Sequence, residues 1–162
     1  YYSIGNCRTI DQDPAFGIRQ IVDIALKALS PGINDTATAE TCLDYLGAIL
    51  YRAARLRLPD MRQYCNGHLR VLIRQADFIF LVDQAFHEIR QNAAENLAVY
   101  LRLAKTLARL AGAPEEHRNV IAKHLWLVAE SARAHIIIPH DRKILASELS
   151  RAASALQIDL KT

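Results

Sequence analysis

The segment from Asp11 to Thr38, DQDPAFGIRQIVDIALKALSPGINDTAT, constrains the fold more than any other stretch of the chain. It holds two helix starts and one helix stop. Asp13 before Pro14 reads as a start: an N-cap carboxylate accepts early backbone N–H groups, and proline suits the first helical position. Ile18, Ile21, Val22, Ala25, Ala28 and Leu29 then recur at helical spacing as one apolar face. Arg19, Asp23 and Lys27 fall one turn apart on another face, which makes them i,i+4 ion pairs of about 0.2–0.5 kcal/mol each. Ser30 is biased out of helical conformation by Pro31, and Gly32 permits a turn. Asn34 and Asp35 offer a second N-cap, followed by the stripe Ala39, Cys42, Leu43, Leu46, Leu50 and Ala53. So short a connection makes the two helices antiparallel neighbours, a central hairpin for the domain.

The rest of the chain continues in the same manner. Residues 1–9 read as a short strand or extended arm, and Leu58-Pro59-Asp60 breaks the second helix near position 56. Asn66-Gly67 between two extended runs marks a β-hairpin, because a type I′ turn needs positive φ at both central residues. Two strands alone are marginally stable, so the hairpin is expected to pack on helices or to pair with the arm or with upstream chain. Asp77 caps a third helix with Phe78, Leu81, Val82, Ala85 and Ile89 inward. Asn96 caps a fourth, ended by Gly112. A fifth starts at Pro114 and is expected to run to about Ile138, and Asp141 is expected to cap a sixth. The fifth carries Val120, Leu125, Trp126, Leu127, Val128 and Ile136 around its circumference, the pattern of a central helix or a subunit interface. The fold class is therefore mainly α: a helical bundle of about six helices with one small β-hairpin and a short N-terminal strand, in a single domain over 1–162.

Composition narrows the function. Hydrophobic residues make up 51% and charged residues 23%, ordinary for a globular chain with a real core. The longest aliphatic and aromatic run is Phe78 to Val82, far short of the about 20 residues that span a bilayer. The chain begins at Tyr1 without an initiator methionine, the expectation for a piece of a longer polypeptide. Cys7, Cys42 and Cys65 form no CxxC pair and read as reduced thiols, which favours a cytoplasmic face. Net charge is +3, too small to signal nucleic acid, and no nucleic-acid motif accompanies it. Its distribution is uneven. Arg52, Arg55, Arg57, Arg62, Arg70 and Arg74 stand against Asp60 alone, a local excess that either meets anionic lipid headgroups or forms a solvated rim.

The wording RT-x-DQDPAFG-x-R-x-x-VDIALKALSPGINDTATA resembles a bacterial family known as predicted membrane protein, domain of unknown function 2254. Arg8-Thr9, Gln12-Asp13-Pro14, Phe16-Gly17, Asp23-Ile24-Ala25, Ala28-Leu29-Ser30-Pro31 and Asn34-Asp35 carry the likeness. It continues more loosely through Leu81 to Arg90 and Tyr100 to Leu110. Thr36 departs from a pattern that often has proline there. The resemblance implies an N-terminal membrane-spanning part followed by a soluble part, of which this chain is a piece. It implies no reaction and no site residues.

Candidate sites fall into separate clusters. Asp13 and Ser30 lie roughly 25 Å apart along an unbroken helix, so the acids at its two ends cannot share a metal. One cluster holds Arg8, Asp11 and Asp13, most simply a capped helix. The other holds Lys27, Ser30, Asn34, Asp35 and Thr38, with Asp23 nearby. It is a stapled loop or a site for a cation or small polar ligand, since an N-cap carboxylate repels anions. His117, His124 and His135 share a helix face but are separated by roughly 10.5 and 16.5 Å of rise. One zinc cannot bridge any two of them, and they read as partly exposed or interface histidines. Ser30 lies outside any G-x-S-x-G elbow, and no Walker loop or dinucleotide glycine pattern calls for a cofactor. The expectation is a non-catalytic sensing, regulatory or assembly domain of a membrane protein. It self-associates, binds no nucleic acid and has no metal site. The competing reading is a metal-dependent hydrolase or polar-ligand site around Asp23, Asn34 and Asp35.

Overall fold

The computed structural model describes residues 13–56, 62–72 and 76–160. The expected class is observed. Its helices are α1 (Pro14–Ala28), α2 (Thr36–Ala53), α3 (Phe78–Gln91), α4 (Leu97–Arg109), α5 (Glu115–His135) and α6 (Pro139–Leu156). Strands β1 (Arg62–Cys65) and β2 (His68–Leu72) form the single antiparallel pair among the described residues. The N-terminal arm lies outside them.

Four helices start on the side chains that their sequences nominate. Asp13 accepts from the N–H groups of Ala15 and Phe16, Asp35 from Thr38, Asp77 from Phe80 and Asn96 from Val99. Each satisfies donors that the first turn leaves orphaned. The helix stop after Ala28 works differently from expectation. The left-handed residue is Asn34, at φ 47°, and not Gly32; asparagine tolerates that conformation better than other side chains.

Two boundaries near Pro139 are corrected. α5 stops at His135, and Ile136 to Ile138 run extended. Ile138 precedes a proline, whose ring disfavours helical backbone at that residue. Pro139 itself opens α6 as a first-turn proline, so Asp141 sits inside the first turn and is not the cap.

The helices form three successive αα-hairpins stacked in two layers. α1 packs on α3 and α3 on α5, while α2 packs on α4 and α4 on α6. Contacts along the α3–α5 seam advance together: Phe78 with His117, Asp83 with His124, Arg90 with Ser131. Those two helices therefore run parallel. The same holds for α2 and α4, through Thr36 with Asn96, Glu40 with Arg102, and Gly47 against Thr106. No internal repeat is visible in the sequence, yet the architecture repeats, because one αα-hairpin cannot bury its own apolar face. Buried side chains of all the helices join one core.

α4 is the helix at the centre, touching α2, α3, α5 and α6. α5 is not apolar all round. Val120, Leu125, Val128 and Ile136 face inward, Leu127 is half-buried, and Trp126 alone of the expected set is exposed. Packing against three helices accounts for a broad apolar face without a subunit interface.

The β1–β2 hairpin turns as anticipated, with Asn66 and Gly67 at φ 53° and 75°, and carries a bulge between Gln63 and Tyr64. Of the expected supports, no helix packs along it among the described residues, and the arm at 1–9 lies outside them.

Candidate functional site

The second polar cluster becomes a corner between α1 and α2. Its backbone is closed by Asn34 N–H to Ser30 O at 2.9 Å and Asp35 N–H to Ala28 O at 2.8 Å. The Ser30 hydroxyl donates to Lys27 O at 2.7 Å. Asp35 takes the Thr38 N–H on one carboxylate oxygen and the Thr38 hydroxyl on the other, at 3.0 and 2.6 Å. Those bonds, the hydroxyl first, hold its pKa below the ordinary carboxylate value. Lys27, Asn34 and Asp35 are exposed, and Ser30 and Thr38 half-buried. A cleft of about 460 Å³ lies beside the corner, where Leu29, Pro31 and Asn34 face the α3–α4 loop at Asn92 to Asn96. The two loops are tied by Asn96 Nδ2 donating to Thr36 Oγ1 at 2.6 Å.

Asp23 is not part of this corner. It pairs at 2.5 Å with Arg19, which also pairs with Glu88 of α3 and so pins α1 to α3. Among the described residues no group of three or more His, Cys, Asp or Glu side chains is arranged to hold a metal ion. The hydrolase reading around Asp23, Asn34 and Asp35 therefore gains no support.

Of the first cluster, Arg8 and Asp11 lie outside the described residues, and Asp13 acts as the α1 cap. Of the basic series, Arg57 and Arg74 also lie outside them. Arg52, Arg55, Arg62 and Arg70 are exposed. Arg55 is committed internally: it lies 3.5 Å over the Tyr51 ring and donates to Tyr51 O and Gly112 O.

The most buried polar chemistry is elsewhere. His124, fully buried in α5, places Nε2 2.7 Å from Asp83 Oδ1 of α3, with the Phe86 ring edge-on and Lys123 Nζ 3.6 Å from the same oxygen. Its Nδ1 is buried without a hydrogen-bond partner among the described residues. A protonated ring would bury an unpaired N–H there, so the neutral tautomer donating from Nε2 fits the site. Burial pushes the His124 pKa down, and this outweighs the opposing pull of Asp83. The expected exposed or interface role is thus corrected for His124. The signal was its place on the stripe of Val120, Ile121, Leu125 and Val128.

Nearby, Tyr100 of α4 is fully buried with its hydroxyl 3.4 Å from His135 Nδ1, and Arg90 donates to Ser131. Burial raises the Tyr100 pKa, with Arg90 opposing. Between α2 and α4, Arg102 bridges Glu40 and Asp44, and Arg109 adds a second contact to Asp44 at 3.0 Å. These groups join helices to one another.

Such a molecule is a mainly helical domain: a two-layer stack with capped corners, interior polar ties and one β-hairpin. The family described as predicted membrane protein (DUF2254) matches residues 1–109, and the chain belongs to that family. Uncharacterised proteins of Mycobacterium bovis and Mycobacterium tuberculosis are similar to it, at 30% identity over 157 residues. The match takes in 95% of this chain but only 30% of the length of those relatives. No solved structure matches the chain. Among the described residues, no helix is long and apolar enough to cross a membrane.

Proposed function

We propose that the chain is a non-catalytic regulatory or assembly module of a membrane protein. It lies on the cytoplasmic side, associates with copies of itself and turns a basic edge toward anionic lipid. The observation that carries this reading is the β1–β2 hairpin. No helix packs along it among the described residues, and Arg62, Tyr64, His68, Leu69 and Arg70 on it are all exposed. A two-stranded ribbon with no helix packed along it among the described residues is marginal alone, and arginine with an amphipathic tyrosine is the composition that suits a headgroup layer. Exposed Arg52 near the end of α2 extends the same basic series. The cytoplasmic side draws support from this arginine excess and from the free thiols of Cys42 and Cys65. Self-association draws support from Ile79, Phe80 and Trp126, large apolar side chains each about half exposed on α3 and α5. A ligand-responsive corner at Lys27, Ser30, Asn34, Asp35 and Thr38 remains compatible with this role, supported by the cleft that Asn34 lines.

Two measurements test it. Vesicle co-sedimentation should show binding to phosphatidylglycerol vesicles that falls with salt and falls again in the Arg62→Glu/Arg70→Glu variant. Equal behaviour toward phosphatidylcholine vesicles removes the lipid contact. Native mass spectrometry of protein purified without chelator should show a symmetric oligomer without added mass; a monomer carrying a stoichiometric ion overturns the assembly reading.

A further inference from the structure

A groove of about 420 Å³ runs along one face of α6, where Arg142, Leu145, Ala146 and Leu149 follow at helical spacing. Arg133 of α5 closes one side, and Leu160 of the C-terminal tail the other. The tail is set by Gln157, a left-handed helix end at φ 56°, after which Ile158 N–H returns to Ala153 O at 3.0 Å. Ile158 and Leu160 then lie against the core. Leu145, Ala146, Leu149 and Leu160 give it an aliphatic side, Arg133, Arg142 and Ser150 a polar one, and among the described residues no acidic side chain lines it.

Its charge is one-sided. Arg142 donates through Nε to Ile136 O at 2.7 Å, which orients the guanidinium, and no carboxylate among the described residues pairs with it. Among the described residues Arg133 pairs only with exposed Glu130 of its own helix, at 2.9 Å, a solvated contact of little net strength. An apolar trough beside an oriented, unpaired guanidinium complements an apolar chain with an anionic head. The planar fork of arginine matches a carboxylate, and the volume is at the small end of ligand sites, which suits one chain and not two. We infer that this groove binds a free fatty acid, its acyl chain along Leu145, Ala146 and Leu149 and its carboxylate on Arg142 and Arg133. The inference stands apart from the hairpin's lipid contact, which involves other elements.

Calorimetric titration with palmitate, palmityl alcohol and acetate tests it. Palmitate should bind saturably at one site per chain, and acetate should not bind. Arg142→Ala should weaken palmitate about tenfold, the size of one lost charge-assisted hydrogen bond, and leave the alcohol unchanged. Ala146→Trp should abolish both. Both positions are exposed, and a thermal melt checks that each variant folds. Arg142→Lys, which keeps the charge and loses the fork, should weaken palmitate less than alanine does. Absence of saturable palmitate binding overturns the inference, as does binding that neither Arg142→Ala nor Ala146→Trp changes. A change of oligomeric mass in Ala146→Trp without palmitate binding would instead assign the groove to a second copy of the chain.

Discussion

At the α1–α2 corner, Asp35 finds both of its partners on Thr38, one helical turn away and at the surface. In the interior, His124 reaches from α5 to Asp83 on α3, across a separation of 41 residues. Both are carboxylate hydrogen bonds of similar length. The corner bond organises one helix end and can be lost with that end still in water. The interior bond crosses a helix seam, and its loss leaves a cavity at a fully buried position. Eye-catching polar sequence therefore marks local structure here, while this tie between helices sits inside an apolar stripe.

The contrast breaks hardest at His124. His124→Ala should cost about 2–5 kcal/mol, the range for truncating a large buried side chain, read as a lower urea midpoint with little change in slope. pH sharpens the same comparison. The folded pKa of His124 lies below its unfolded value, so on acidification the unfolded chain takes up a proton that the folded chain refuses. Stability should fall as pH drops below about 6.5, the ordinary imidazole value, until the folded pKa is reached. His124→Gln, which can keep a donor toward Asp83, should flatten that loss in melts at pH 7 and pH 5. An unchanged pH slope in this variant would mean that the buried ring is not the group responsible.

The next effect is at the seam between α2 and α4. A Cβ at Gly47 would stand 2.5 Å from Thr106 Cγ2, so the glycine is there for close approach and not for a turn. Thr106 is fully buried and β-branched, and its rotamer in a helix is stiff. Gly47→Ala should therefore cost about 1–3 kcal/mol by overpacking, although alanine is the better helix former. Adding Thr106→Ser removes the offending methyl and should recover most of the loss, a coupling that a double-mutant cycle in urea would measure.

What could be read in advance follows the same division. Asp13, Asp35, Asp77 and Asn96 were legible as caps because a cap and the N–H groups it serves lie within one turn of sequence. The inward faces of α1, α2 and α3 were legible from spacing alone. His124–Asp83 was not, since nothing in a single sequence pairs positions on different helices. Gly47 was silent for the same reason: its meaning lies in Thr106. α5 was read as apolar all round because periodicity does not show how many neighbours a helix has; it has three, and they use that surface. The end of α5 was overrun because apolar spacing continues through Ile136 to Ile138, whereas the backbone obeys Pro139.

The smallest effect belongs to the corner. Asp35→Ala removes the α2 cap and the Thr38 contacts, so its melting temperature should fall, but by less than in the variants above, because water can replace what is lost. Asp35→Asn should be close to neutral, since asparagine caps as well as aspartate and the position needs an acceptor more than a charge. The sign of the pH effect is opposite in origin to that of His124 but points the same way. The Asp35 pKa is lowered in the folded state, so its contribution is present above the ordinary carboxylate range and is lost as pH falls through the folded value. That window lies well below the one for His124. A wild-type stability profile should therefore descend in two separated steps, with His124→Gln removing the upper step and Asp35→Asn the acidic part due to this group. If Asp35→Asn instead lowers the melting temperature as much as Asp35→Ala does, the charge itself matters at the corner. The cleft beside Asn34 would then be the place to look for the cation that it serves.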